Sequence, residues 1–369
     1  MITRKEIIIR GVSAAGVIMA GKVTGFSDIL QKSSVEECCS KNRGLSGRAE
    51  RILRGASLAP SGHNTQPWSV KILSEHEWII GWDKSRSLPA VDPHNRELLL
   101  SIGAFCEALK ISAASEGLEA VINVIGKSPF SKDLVKITFR ESEHSDYNME
   151  ALRKRRTIKK GLLSQPVDSG DLRFITSGSG SKFYTYNRDS REGDFIEAAV
   201  LESNKIQAAR DDAQAELAEW IRWSRKDVMK YMNGLSPAGM EIGGFGEWYV
   251  SHFFGRDDVM SSSFREQTVK MVKELLSSYG TWILITSDKE DCKSLINAGG
   301  SFLKLGLNSW RKKIALHPMT QPLEEEGFAG ELKKNLGIEE NIQFILRAGY
   351  VENYPLPVSM RMPVERIIR

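Results

Sequence analysis

The 369-residue chain lacks most of the patterns by which catalytic side chains are recognised. It has only four cysteines, without a Cys-x-x-Cys pair, and its six histidines are scattered, with no pair spaced i, i+4. A zinc knuckle, a thioredoxin-type centre and a helical zinc site are therefore not indicated. A Walker phosphate loop and a Gly-x-Ser-x-Gly nucleophile elbow are also missing. If the protein is an enzyme, a cofactor has to carry the chemistry.

Long apolar runs and a strong excess of one charge are absent too. No run of about 18 uncharged apolar residues occurs, which excludes a polytopic membrane protein. The net charge is +4, from 51 Lys plus Arg and 47 Asp plus Glu, and residues 1–35 carry most of it. The near-neutral remainder argues against a nucleic-acid partner. With 41% hydrophobic residues, the chain has enough apolar material for two or three domains or for one duplicated architecture.

The first 35 residues are typical of an export signal. A basic segment with Arg4, Lys5 and Arg10 precedes about ten small and apolar residues, which are too few to span a bilayer. The segment resembles a twin-arginine signal with Lys5 in place of the second arginine. We therefore expect export to the periplasm; the alternative is an ordinary N-terminal tail on a cytoplasmic protein. A polar linker over residues 36–45, which contains Cys38 and Cys39, follows.

Hydrophobic periodicity beyond the linker predicts two α+β halves, residues 46–146 and 147–369. Residues 232–262 of the second half are rich in glycine and aromatics, which is compatible with either a lid or an ordinary packed loop. In the first half we expect a helix from residue 48, a hairpin over 68–82, a buried helix over 98–113, and strands at 120–125 and 134–139. In the second we expect a helix that ends at residues 153–156, strands at 182–187, 282–286 and 343–351, and helices near 191–209, 212–231, 264–278 and 291–312.

One loop carries a specific signature. Residues 59–68 read Ala-Pro-Ser-Gly-His-Asn-Thr-Gln-Pro-Trp, and they follow a predicted helix. The loop presents a hydroxyl, amides and backbone N–H groups, which suit the edge of a planar heteroaromatic ring. Taken alone, a loop of this kind is more often a capped turn beside a core tryptophan. The string resembles the Pro-Ser-x-x-Asn-x-Gln-Pro-Trp signature of the flavin-dependent nitroreductase family.

A second motif complements this loop. Residues 155–159 read Arg-Arg-Thr-Ile-Lys and are similar to the family's Arg-x-Ser-x-Lys/Arg motif, which holds the flavin phosphate. In the family the two motifs reach one flavin from different subunits, whereas here each half of one chain carries one of them. Two cationic groups and a hydroxyl that alternate along the chain can converge on a phosphate dianion. Taken alone, the basic cluster 153–160 is a solvated helix end or a nucleic-acid patch. The resemblance implies one complete site per chain and a monomer.

The C-terminal third is similar to the internally fused, Acg-like branch of the same family, over residues 315–324 and 347–365. In that branch a basic residue ahead of a proline completes the phosphate pocket, and Arg361 matches this position. The loop Pro318–Thr320 would pass the central ring of the flavin, where a backbone N–H can contact N5.

The resemblance implies an α+β nitroreductase-like fold whose fused halves form a pseudo-dimer around one FMN. It implies an oxidoreductase in which NAD(P)H delivers hydride to flavin N5 and a nitroaromatic- or quinone-like acceptor takes the electrons by ping-pong exchange. It assigns no catalytic side chain and no metal. The alternative is a protein that stores or sequesters FMN with little turnover. The residues implied to bind FMN are Pro60, Ser61, Gly62, Asn64, Gln66, Arg155, Thr157, Lys159, Pro318, Met319, Thr320 and Arg361.

Overall fold

The computed structural model describes residues 45–242 and 255–369. The predicted export signal, both linker cysteines and residues 243–254 of the predicted lid lie outside the described residues, so these assignments stay predictions. Within the described part of the chain, no helix combines the length and the apolar character needed to cross a membrane.

The first half contains an antiparallel sheet of four strands in the order β1-β2-β4-β3. The hydroxyl of Ser46 accepts a hydrogen bond from the Ala49 N–H and begins the first helix, which buries Ile52 and Leu53. Every element predicted for this half is present. The elements are α1 (Gly47–Ala56), β1 (Trp68–Ser74), β2 (Glu77–Trp82), α2 (Arg96–Ala114), β3 (Leu118–Val124) and β4 (Asp133–Glu141).

The second half contains another antiparallel sheet of four strands, in the order β5-β6-β8-β7. Its strands are β5 (Lys182–Asn187), β6 (Thr281–Ser287), β7 (Ile314–Pro318) and β8 (Asn341–Tyr350). Its helices are α3 (Met149–Lys154), α4 (Ser169–Thr176), α5 (Arg191–Ala209), α6 (Asp211–Trp220), α7 (Arg225–Tyr231), α8 (Arg256–Val259), α9 (Ser262–Leu276), α10 (Cys292–Arg311) and α11 (Phe328–Leu336). The α+β class predicted from the sequence is confirmed.

The two sheets repeat one arrangement. Along the chain, helix α2 follows the second strand of its half and precedes the third, and helix α10 has the same place in the other half. These helices pack against each other with glycine at the contact: a Cβ on Gly103 would lie 1.9 Å from the Ile296 carbonyl oxygen, and one on Gly299 would lie 1.9 Å from that of Leu100. The contact is reciprocal, and buried residues of both halves belong to one hydrophobic core around it.

The end of the chain returns to the first sheet. The Val70 N–H donates to the Ile367 carbonyl oxygen at 2.7 Å, and the Arg369 N–H donates to the Val70 carbonyl oxygen at 3.0 Å. Residues of the second half thus extend the sheet of the first, which brings the segment around Arg361 beside the Pro-Ser loop.

One predicted helix is wrong, and several elements are missed. Instead of one helix over 212–231, the chain breaks after Trp220. Ile221 is extended, with ψ 130°, because Leu235 pairs with this segment, and the Ser224 hydroxyl starts a new helix. Strand β7, which was not predicted, depends on pairing with β8, a partner that no local pattern reveals. Helices α4 and α11 are short, and local periodicity does not identify them.

Candidate functional site

The loop over residues 59–68 is held in an unusual backbone conformation. His63, Asn64 and Gln66 all have positive φ, at 46°, 52° and 52°. Side chains other than glycine disfavour this region, so surrounding contacts have to stabilise the turn. One such contact is the Ser61 Oγ, which accepts the Gln66 N–H at 2.9 Å. The predicted flavin-contacting serine therefore fixes the shape of its own loop.

The two amide side chains of this loop bind the C-terminal segment. Gln66, completely buried, accepts the Met362 N–H on its Oε1 at 2.9 Å. The Asn64 Nδ2 donates to the Met360 carbonyl oxygen at 3.2 Å, and the Asn64 Oδ1 accepts from Arg361 at 3.1 Å. Because both amides are already engaged in this way, they place Arg361 next to the loop.

Two arginines from distant parts of the chain meet at one carbonyl. Arg155 donates to the Leu58 carbonyl oxygen at 3.0 Å, and Arg361 donates to the same atom at 3.2 Å and to the Ala59 carbonyl oxygen at 3.3 Å. Neither guanidinium forms an ion pair with a described carboxylate, and the Nε atom of each is buried without a hydrogen-bond partner among the described residues. We call Arg155 and Arg361 the arginine pair.

The pKa values of the arginine pair reflect this uncompensated charge. Burial lowers the pKa of Arg155 to about 10. Burial and the charge of Arg155 lower the pKa of Arg361 to about 9. Both groups stay protonated at neutral pH, so the pair is a concentrated positive charge with unused donors, which is the chemistry of an anion site.

A cleft beside the arginine pair is lined by both halves. Pro60 comes from the first half, and Arg155, Thr157 and Leu316 come from the second. The cleft has an empty volume of about 300 Å³, counted with the space open to solvent. Gly306 of helix α10 contributes to its wall, where an added Cβ would lie 3.7 Å from the Arg155 side chain. Three of the predicted site residues are thus brought together across the two halves.

Lys159, predicted to bind the same phosphate, makes no hydrogen bond to the carbonyl that the arginine pair shares. Its Nζ has no hydrogen-bond partner within the described ranges, and burial lowers its pKa. Its charge helps to lower the pKa of His63 and that of His317, after burial as the main cause. The charge of Lys159 therefore acts on a histidine from each half.

The loop after β7 offers fewer backbone donors than the sequence implied. Pro318 has no N–H, and the Met319 N–H donates to the Ile345 carbonyl oxygen at 2.8 Å. The N–H of Thr320 has no partner in the part of the chain that the structure describes. The Thr320 N–H is therefore the one backbone donor of residues 318–320 that is left for the predicted contact with flavin N5.

The Thr320 hydroxyl lies between two carboxyl groups. Its Oγ1 is 2.8 Å from Glu324 Oε1 and 3.1 Å from Glu97 Oε1. A hydroxyl has one hydrogen to donate, so Thr320 can donate to only one of these two carboxyl groups at a time. Burial, followed by the negative charge of Glu97, raises the pKa of Glu324. Glu97 Oε2 would lie 3.2 Å from a Cβ on Gly62, so this carboxyl pair adjoins the Pro-Ser loop.

Sequence reasoning missed Glu97, Glu241 and Arg347. Arg347 is almost completely buried; its Nε donates to His317 Nδ1 at 2.9 Å, and its guanidinium also binds the carbonyl oxygens of Leu275 and Lys159. This bond makes Nδ1 an acceptor, so the neutral His317 ring carries its hydrogen on Nε2. A lone arginine in an apolar strand was the only local signal; the two glutamates gave none.

A scan against models of protein families finds no match. Curated sequences do match. The putative NAD(P)H nitroreductase Rv3131 of Mycobacterium tuberculosis (strain ATCC 25618 / H37Rv) is 27% identical over 138 residues, which cover 34% of this chain and 37% of that protein. The putative NAD(P)H nitroreductase acg of the same strain is 40% identical over 65 residues, 18% of this chain and 19% of that protein. The chain thus spans little more than a third of the length of the curated relatives it matches.

Solved structures with low sequence identity also align. A putative nitroreductase from Anabaena variabilis ATCC 29413 has a TM-score of 0.40 at 11% identity and covers 87% of this chain and 91% of its own. A putative nitroreductase in complex with FMN from Desulfovibrio desulfuricans has a TM-score of 0.35 at 12% identity, over 60% of this chain and 95% of its own.

The sequence relatives bear out the resemblance predicted from the motifs: over about a third of its length the chain is similar to curated putative NAD(P)H nitroreductases. Within that class it is similar to acg, as the fused-branch comparison predicted.

Proposed function

We propose that the protein binds one FMN between its two fused halves and acts as an NAD(P)H oxidoreductase on a nitroaromatic- or quinone-like acceptor. The observation that carries the proposal is the arginine pair. Two guanidinium groups donate to the Leu58 carbonyl oxygen, and neither has a carboxylate partner among the described residues. The names of the curated relatives, which are putative NAD(P)H nitroreductases, support the same class of activity.

The residues present fit an FMN phosphate. A buried guanidinium Nε without a partner is costly unless a ligand supplies an acceptor, and both members of the pair have one. Thr157 adds a hydroxyl to the wall of the same cleft. Arg155, Arg361 and Thr157 would therefore hold the phosphate, and the Pro-Ser loop and the Thr320 N–H would border the ring.

Bound FMN would supply hydride acceptance and electron transfer. The chain's own contribution would be positional and electrostatic. The arginine pair would neutralise the phosphate, Lys159 would add positive charge beside two neutral histidines, and Glu324, whose pKa is raised, would hold a proton near the loop.

The colour of the purified protein tests this proposal. We expect a yellow protein that releases FMN on denaturation and whose absorbance bleaches on anaerobic addition of NADH or NADPH. A colourless protein that cannot be reconstituted with FMN contradicts the flavin site. A yellow protein that keeps its colour with both nicotinamides contradicts the oxidoreductase and leaves the storage alternative.

The split site makes a sharper prediction. Arg155→Ala and Ser61→Ala, one in each half, should each weaken FMN binding by about ten- to a hundredfold, since charge-assisted and loop-shaping hydrogen bonds are lost. Titration of apoprotein by the quenching of FMN fluorescence measures the effect.

Two exposed residues of the same types serve as controls for the split site. Arg153→Ala and Ser145→Ala should leave the affinity unchanged, because both positions are exposed. If only one of the two site variants bound FMN more weakly, the two halves would not share the site.

A further inference from the structure

Residues 232–242 connect the two motifs of the proposed site. We call this segment the strap. At its start, the Gly234 N–H donates to the Asn64 carbonyl oxygen at 3.0 Å, and the Asn64 Nδ2 donates back to the Gly234 carbonyl oxygen at 3.1 Å. The Gln66 Nε2 also donates to the Met232 carbonyl oxygen at 3.0 Å. This end of the strap is therefore fastened to the Pro-Ser loop of the first half.

The other end of the strap is fastened to the basic motif of the second half. Glu241 Oε2 accepts the N–H groups of Lys159 and Lys160, at 3.1 and 2.9 Å, and Glu241 Oε1 accepts from Arg156 at 3.1 Å. The Lys160 Nζ donates to the Glu241 carbonyl oxygen at 3.3 Å. The carboxylate side chain is only 14% exposed. Bonds of this kind to an ionised carboxylate are stronger than neutral ones.

The strap backbone presents this carboxylate in a fixed direction. Glu241 has φ 59°, in the left-handed region that a residue with a Cβ rarely adopts. Two turn bonds hold it there: the Glu241 N–H donates to the Ala238 carbonyl oxygen at 3.1 Å, and the Ile242 N–H donates to that of Pro237 at 3.0 Å. Because Glu241 has a strained backbone and its carboxylate accepts three hydrogen bonds, this contact is more specific than a surface ion pair.

We propose that Glu241 fastens the strap across the flavin site and that FMN enters and leaves only when this carboxylate releases the basic motif. The inference rests on the proposed function, because the ligand is the FMN assigned there. While both ends of the strap are bound, the Pro-Ser loop and the basic motif are tied together on either side of the cleft. Exchange of the cofactor then requires the bonds of Glu241 to break first, which makes both entry and exit slow.

The test compares Glu241→Gln with Glu339→Gln, an exposed glutamate that serves as the matched control. Stopped-flow FMN fluorescence gives the association rate with apoprotein and the release rate from holoprotein. We expect both rates to rise about tenfold in Glu241→Gln, so that the affinity changes little, and neither to change in Glu339→Gln. A faster release with an unchanged association rate would make Glu241 part of the binding pocket and would overturn the inference, as would two unchanged rates.

A second measurement on the unmodified protein covers the case in which Glu241→Gln does not fold. The amide hydrogens of Lys159 and Lys160 exchange with solvent only after their hydrogen bonds to the Glu241 carboxylate break. Under conditions where every separation of Glu241 from these amides leads to hydrogen exchange, FMN should be released no faster than the two amides exchange. A faster release would refute the proposal that Glu241 controls FMN exchange. If the unmodified protein binds FMN and either test fails, the inference alone falls, whereas absence of FMN binding defeats the proposed function itself.

Discussion

At the scale of single residues, burial raises the pKa of two carboxyl groups, Asp92 and Glu324. Asp92, buried beside Glu97, has its pKa raised to about 7 by burial and by the charge of Glu97, against the opposing bond from the Leu98 N–H. The pKa of Glu324 is raised for the same two reasons. The other charged groups around them are Arg96, Arg210 and Glu325, and burial lowers the pKa of the nearby His63.

These protons make stability depend on pH. The unfolded chain loses them near pH 4, whereas the folded protein keeps them to about pH 7 at Asp92, so between these values the native state binds more protons. The free energy of unfolding should therefore fall as pH rises from 5 to 8, by up to about 1.4 kcal/mol per pH unit for each such proton. Urea unfolding at pH 5, 6, 7 and 8 measures this slope.

Substitutions distinguish the contribution of Asp92 to this pH dependence from that of Glu324. Asp92→Asn and Glu324→Gln should each flatten the decline, because the neutral amides do not titrate, while the exposed Asp257→Asn should leave it as it is. A stability that does not fall over this range, or an unchanged slope in both variants, would show that neither carboxyl is protonated in the native protein.

At the scale of elements, the contact between α2 and α10 is set by glycine. The Cβ positions of Gly103 and Gly299 fall on backbone atoms of the opposite helix, which cannot move aside as a flexible side chain would. Close approach of these two helices is what allows both sheets to share one core. The cost of glycine in a helix interior, about 1 kcal/mol, is offset by this packing.

Gly103→Ala should destabilise the protein by about 3 kcal/mol, because its methyl group would overlap the Ile296 carbonyl. Gly330→Ala provides the control. That glycine lies in helix α11 with no atom within 4 Å of an added Cβ, so alanine should stabilise by about 0.5–1 kcal/mol. Chemical unfolding of both variants gives the two values; equal effects of the same sign would rule out the close contact.

At the scale of the whole molecule, the halves are interdependent. Buried residues from α2 and α10 belong to one cluster, and the final residues of the chain pair with β1. The repeated strand order therefore describes two units that share a core. Two separately folded domains would each have a core of their own.

We expect the described part of the protein to unfold in one cooperative transition. Calorimetry checks this through the ratio of the calorimetric to the van't Hoff enthalpy, which should be close to one. Two resolved transitions would mean that each half folds alone.

Much of the site was predictable at the level of its motifs. Residues 60–66 and 155–159 are contiguous strings whose residue types indicate their chemistry, and the structure places both beside one cleft. The grouping within them was not predictable. The motif assigned Arg155 and Lys159 to the same phosphate, but Arg155 meets Arg361, whereas the charge of Lys159 acts on His63 and His317.

The sequence by itself determined what depends on neighbours along the chain: the α1 and α2 helices, the β1–β2 hairpin, and the two motifs, because periodicity and turn chemistry act over a few residues. Only the tertiary structure decided which polar groups meet. Arg361 reaches a carbonyl 303 positions away, and Glu241 reaches amides about 80 positions away. Such pairings are set by the packing of the two halves on one core, and no local pattern encodes them.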